Sequence, residues 1–200
     1  MLKPIRPAAP IRAKYDERVT ALINEMSASI IHWVSAEWRK NTPETVLLGE
    51  DETPAKSIQI AISRLGRRWQ KRFDQLAESL AEYFAKAVRD RCDRSLMADL
   101  RRGGMSVRFK MTPAMRDAFE AVRAENVGLI RSIAQNHLSH VETLVMQSVS
   151  QGRDLGTLTK ALEKTTGVTK RRASRIAVHQ NNMATATMRS VREQELGLTE

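Results

Sequence analysis

Three stretches of this chain carry residue types whose spacing could do chemistry. His137 and His140 form an H-x-x-H pair, which on a helix sets both imidazoles on one face. Such a pair can seed a zinc site, but two ligands are too few, and no carboxylate or cysteine stands at a matching offset. On a helical wheel both histidines fall beside Val122, Leu129, Ile133 and Leu144, which reads as polar residues satisfied within a helix–helix seam. The second stretch, RLGRRWQKR at 64–72, gathers Arg64, Arg67, Arg68, Lys71 and Arg72 around Trp69 with no acid among them. Cations flanking an aromatic can grip a phosphate backbone or an acidic protein. Trp69 also lies on an apolar stripe, so a core indole with arginines stretched beside it is the alternative.

The third stretch is KRRASRIAVHQNN at 170–182. His179 beside Gln180 and Asn181 suggests an acid/base group with an orienting partner. Adjacent helical residues point about 100° apart, so the three would not converge on one substrate. No acidic residue stands between Glu163 and Glu193, whereas Lys164, Lys170, Arg171, Arg172, Arg175, Arg189 and Arg192 all do. At about 100° per residue, Arg171, Arg175, Asn182 and Arg189 share one side. Ala173, Ile176, Ala177, Gln180, Ala184, Thr187, Met188 and Val191 share the other. The expectation is a buried, small-residue side and a basic outer face suited to an anionic partner. Nucleophile elbows, phosphate-binding loops and paired carboxylates are absent, so neither an enzyme nor a cofactor is expected.

These residues need elements to position them, and the pattern is all-α. Residues 1–14, with Pro4, Pro7 and Pro10, read as an extended, basic, proline-stiffened arm. From Tyr15, apolar residues recur at three- and four-residue steps to about residue 40. NTPETVLLGEDETP at 41–54 breaks the pattern, with Thr53 as a cap for the next helix. A second pattern from about 54 to 101 predicts a long helix, coiled-coil-like in spacing, with Gly66 its weak point. Gly103-Gly104 ends that 15–102 region, and Val107, Phe109 and Met111 alternate with Arg108 and Lys110 like a short strand within a 103–112 linker. A third helix follows Thr112 as cap and Pro113 as first residue, and ends before Gly152. A short helix from about Asp154 to Lys164 stops at Gly167, and a last one starts behind Thr169 and runs to Gly197. The 113–200 segment thus reads as a C-terminal helical subdomain. Two helices joined at Gly167 leave a DNA-reading helix-turn-helix regulator as the rival reading of 154–182, although Glu163 falls where that motif wants a small residue.

Bulk numbers agree with a helical chain. It has 200 residues, 42% hydrophobic and only 4% aromatic, with a net charge of +10 that favours a polyanionic neighbour such as nucleic acid. The single Cys92 excludes a disulfide framework and a cysteine-based zinc site, and fits a reducing compartment. No apolar run approaches the roughly 18 residues of a membrane span, and prolines interrupt the start before a signal peptide could form.

From about 105 to 199 the succession of motifs resembles the phage Mu F-like head morphogenesis family, the minor head proteins of tailed bacteriophages. The carrying segments are ENVGLIRSI (125–133), VETLVMQSVSQGRDLGTLTKAL (141–162) and GVTKRRASRIAVHQNNMATATMRSVREQELG (167–197). Arg172, Ala173, Ile176 and Ala177 match the family's "RA-x-x-IA" helix, Gln180, Asn181 and Asn182 its Gln-Asn segment, and Glu195, Leu196 and Gly197 its "ELG" ending. The chain departs from the pattern at Val178 and His179, where the family carries charged or polar residues. The family also continues past "ELG" into a Trp- and His-containing segment, so a shortened member or part of a longer protein is expected. The resemblance implies a low-copy structural protein made in the host cytoplasm and built into the virion. It would sit inside the capsid near the portal, acting in head assembly and in DNA packaging or ejection. Its implied partners are the portal protein, the major capsid or scaffold protein, and double-stranded DNA bound without sequence preference, with no membrane involved.

Overall fold

In a computed structural model, residues 4–40, 54–151 and 154–198 are described. The linker at 41–53, with the Thr53 cap, and Gly152 lie outside them. Four helices account for almost all of the described chain: α1 (Ala9–Lys40), α2 (Pro54–Arg102), α3 (Pro113–Ser150) and α4 (Leu155–Glu195). Among the described residues there is no strand. The all-α class read from the apolar periodicity is the class observed.

The chain forms two compact units, each assembled from pieces of all four helices. The first holds residues 1–18, 76–129 and 174–200, and the second holds 19–75 and 130–173. The compact units therefore do not follow the chain order of a 15–102 region and a 113–200 subdomain. In the first unit Tyr15 and Phe84 pack with ring centroids 5.2 Å apart, beside the buried Leu80, Val88, Leu96, Met115 and Met188. In the second, Ile23, Met26, Ile58, Phe73, Ile130 and Ile133 are fully enclosed. Burial on this scale is worth about 1.5–3 kcal/mol per large side chain and is what holds helices this long in place.

Three local expectations change. The arm at 1–14 is shorter: α1 begins at Ala9, so Pro10 lies inside its first turn. Proline is tolerated there because the first helical N–H groups have no intrahelical acceptor to lose. The 103–112 linker keeps an alternation, with Val107 and Phe109 half-buried and Arg108 and Lys110 exposed, but forms no strand. A lone strand has no ladder to satisfy its backbone. Finally, α4 is one helix running straight through Gly167, not two. The turn that a helix-turn-helix requires is absent. Likewise α2 passes through Gly66 unbroken. Replacing alanine by glycine costs a helix only about 1 kcal/mol, far less than the flanking apolar side chains return on burial.

The helix ends obey local chemistry. Thr112 Oγ1 accepts a hydrogen bond from Met115 N at 3.1 Å, capping α3 as its position before Pro113 suggests. Asp154 caps α4, accepting from Gly156 N at 2.9 Å and Thr157 N at 3.3 Å. The hydrogen bond from the Thr157 hydroxyl, then that from Gly156 N, holds the Asp154 carboxyl below its ordinary pKa. Both α2 and α4 end in left-handed glycines, Gly104 at φ 82° and Gly197 at φ 65°. At each, the residue after the glycine donates back across the last turn, Met105 N to Leu100 O and Leu198 N to Glu193 O, both 2.9 Å. Only glycine adopts that φ without strain, which gives the "ELG" ending a mechanical reason.

Candidate polyanion-binding surface

On α2 the five cations of RLGRRWQKR fall within an arc of about 140° at 100° per residue, next to the stripe formed by Leu65, Trp69 and Phe73. Trp69 is buried and belongs to the core of the second unit, while Arg64, Arg67, Arg68, Lys71 and Arg72 are all exposed. Arg72 lies over the Trp69 ring, 4.5 Å from its centroid, and pairs with Glu25 at 2.8 Å. Arg64, Arg67, Arg68 and Lys71 make no ion pair with any described residue. They form a cationic strip held on a rigid helix, with the indole beneath as anchor and not as a stacking platform.

The α4 face divides in two. Arg171, Arg172 and Arg175 are exposed and Lys170 is half-buried, so the outer face expected for 170–175 is present. Further along, Arg189 is half-buried and paired with Glu193 at 2.6 Å. Arg192 is not on that face at all: it is 1% exposed. Its guanidinium meets both oxygens of Asp93 at 2.7 and 2.9 Å, Glu195 at 2.8 Å and the Lys110 carbonyl at 2.9 Å. The ring of Phe109 lies 4.7 Å away. The wheel holds the signal that the absence of acids obscured: Arg192 falls between Asn181 and Thr185, beside Met188, on the buried arc. It fastens the irregular 103–112 linker to the end of α4 within the first unit.

The residues that carry the resemblance divide between interior and surface, with Arg172, Glu195 and Gly197 exposed. Ala173 and Ala177 are buried, Ile176 half-buried, and Gln180 and Asn181 enclosed, whereas Asn182 faces solvent. Asn126 Nδ2 donates to the Val122 carbonyl at 2.8 Å and to Gln180 Oε1 at 3.1 Å. Gln180 Nε2 donates in turn to Glu125 at 2.9 Å, and Asn181 Nδ2 to the Ala8 carbonyl at 3.3 Å. Gln180, far from Glu125-Asn126 in sequence, thus ties α4 to α3 through both of them, while Asn181 ties α4 to the backbone just before α1. Gln180 and Asn181 position helices and touch no open surface.

The histidines separate by burial. His137 is 3% exposed and bonded through Nδ1 to Thr169 Oγ1 at 2.8 Å, a seam residue as its wheel position suggests. Burial, with a smaller push from His140, lowers its pKa to about 4. His140 and His179 face solvent. No group of three or more His, Cys, Asp or Glu stands where it could hold a metal ion among the described residues. Burial, with help from Asp93, pushes the Cys92 thiol up to about 11, far from a reactive thiolate at neutral pH. No helix among the described residues is long and apolar enough to cross a membrane.

No family model matches the chain, and no solved structure matches it. It is similar to an uncharacterized protein of Haemophilus influenzae, 32% identical over 97 residues. That match covers 47% of this chain and 21% of the Haemophilus protein, so the chain spans about a fifth of that relative's length.

Proposed function

We propose that this chain is a structural minor head protein of a tailed phage, placed inside the capsid near the portal vertex. There it contacts packaged double-stranded DNA through its cationic faces and takes part in head assembly and in DNA packaging or delivery. The observation that carries the reading is the α2 strip. Arg64, Arg67, Arg68 and Lys71 are exposed, fixed on one helix and unpaired with any described residue, in a chain of net charge +10. Four such cations at helical spacing suit successive phosphates, the sequence-independent part of nucleic-acid binding. The exposed Arg171, Arg172 and Arg175 add a second cationic face, on α4.

The head placement rests on the resemblance of residues 105–199 to the Mu F-like family. The hydrogen bonds of Gln180 with Asn126 and Glu125 support it by giving the Glu-Asn pair and the Gln-Asn segment a shared structural role. The portal protein and the major capsid or scaffold protein are the proposed protein partners. The chain is read as non-catalytic: its buried Cys92 stays a protonated thiol at neutral pH, and its exposed His179 shares no hydrogen bond with Gln180 or Asn181. Mass spectrometry of purified virions from the genome encoding this chain is the test. The chain present at a few copies per particle supports the proposal, and its absence from finished particles and from head precursors alike would refute it.

A further inference from the structure

The second unit holds a groove of about 510 Å³ between α3 and α4, within the range of small-molecule sites. Helical spacing builds its walls: Ile133, His137, His140 and Leu144 recur at three- and four-residue steps on α3, and Lys164, Val168 and Arg172 every four on α4. No acidic side chain lines it among the described residues, although two permanent cations and two imidazoles do. Lys164 and Arg172 make no ion pair with any described residue. Val168, 48% exposed, leaves an apolar side chain standing open at the groove.

The hydrogen bonds beneath fix the state of His137. Thr169 Oγ1 donates its one proton to the Thr165 carbonyl at 3.0 Å, so in the 2.8 Å contact it must accept from His137 Nδ1–H. The ring is neutral at pH 7 because burial holds its pKa near 4. Its other nitrogen, Nε2, is therefore an acceptor, and it has no hydrogen-bond partner among the described residues.

From this geometry we propose that the groove binds a small organic anion, its acidic group held by Lys164 and Arg172, its apolar body lying on Ile133, Leu144 and Val168, and a hydroxyl or N–H donated to His137 Nε2. This site is distinct from the α2 strip and does not depend on the proposal for DNA. A suitable probe is 8-anilinonaphthalene-1-sulfonate, which carries a sulfonate, a naphthalene, a phenyl ring and an N–H. Titrated into the full chain at neutral pH, followed by fluorescence and calorimetry, it should saturate one site per chain. Two charge-assisted contacts should make it bind about tenfold or more tighter than N-phenyl-1-naphthylamine, which lacks the sulfonate. The double variant K164A/R172A should lose a comparable factor. V168E, at an exposed position that preserves the fold, should abolish saturable binding. R68A/K71A, which removes the same charge from α2, should bind as the parent does. Equal affinity for the neutral amine, equal loss in R68A/K71A, unchanged binding in K164A/R172A or V168E, or no saturable site would each overturn the proposal.

Discussion

Arg192 is the one Arg, Lys, Asp or Glu buried among the described residues, and its guanidinium makes four hydrogen bonds. A guanidinium can satisfy Asp93 bidentately and still offer Nη1 to Glu195 and to the Lys110 carbonyl, whereas a lysine could not reach all three. Removing it leaves two carboxylates and a carbonyl facing a partner that is gone. Breaking a buried pair from one side costs about 3–5 kcal/mol, and the carboxylates here keep some solvent access, so R192M should cost about 3 kcal/mol. Urea denaturation would show it, and a loss below about 1 kcal/mol would mean that the network is ornamental. His137 gives a second prediction, with a definite sign. Its folded pKa, about 4, lies below the ordinary 6.5, so the unfolded chain binds more protons between those values. The stabilisation from burying it neutral is complete above about pH 6.5 and is lost as pH falls towards 4, by roughly 3 kcal/mol. Compared with the parent, H137L should therefore flatten the fall in stability across that window, measured as urea midpoints at pH 4.5, 5.5 and 7. Parallel curves would contradict the neutral, buried state of this ring.

At the scale of elements, the helices hold because their apolar stripes are long, and the starts of α3 and α4 and the ends of α2 and α4 are capped by the residues that local chemistry requires. Gly167 tests this directly. A β-carbon there would meet only the end of Arg171, at 3.6 Å, and the glycine sits in an unbroken helix. G167A should raise stability by about 0.5–1 kcal/mol. A turn at that position with positive φ would make the same substitution destabilising, so the sign of the change decides whether α4 is one helix or two. G66A in α2, where nothing lies within 4 Å, should behave alike. Much of this level was legible beforehand. Three- and four-residue spacing located the helices, and Thr112-Pro113 and Gly103-Gly104 marked their ends. What pattern alone could not supply was the balance at weak points: a glycine is a breaker only where neighbouring burial fails to outweigh it. The same holds for Pro10, acceptable in a first turn yet indistinguishable in sequence from the prolines of a loose arm. Arg192 was hidden for a related reason. A basic residue in an acid-free stretch reads as surface until Asp93, distant in sequence, is known to face it.

For the whole molecule, the governing fact is an uneven distribution of charge. A net charge of +10 could be spread thinly over a surface, but here four cations of α2 stand together, unpaired with any described residue. On the proposed function this surface would bind DNA through counterion release, and the signature would be a steep, sequence-blind dependence on salt. The four cations are exposed and make no ion pair with any described residue, so removing their charges should leave the fold intact. The measurement that bears most directly on the account is therefore the affinity of the full chain for duplex DNA of two unrelated sequences, as a function of salt, with and without the α2 cations. Parent protein should bind both duplexes equally, with log K falling linearly in log salt. The R64A/R67A/R68A/K71A variant should lose about 0.9 of slope for each phosphate contact removed, up to about 3.6 in all. An unchanged slope in that variant, or a marked preference for one duplex, would contradict the account.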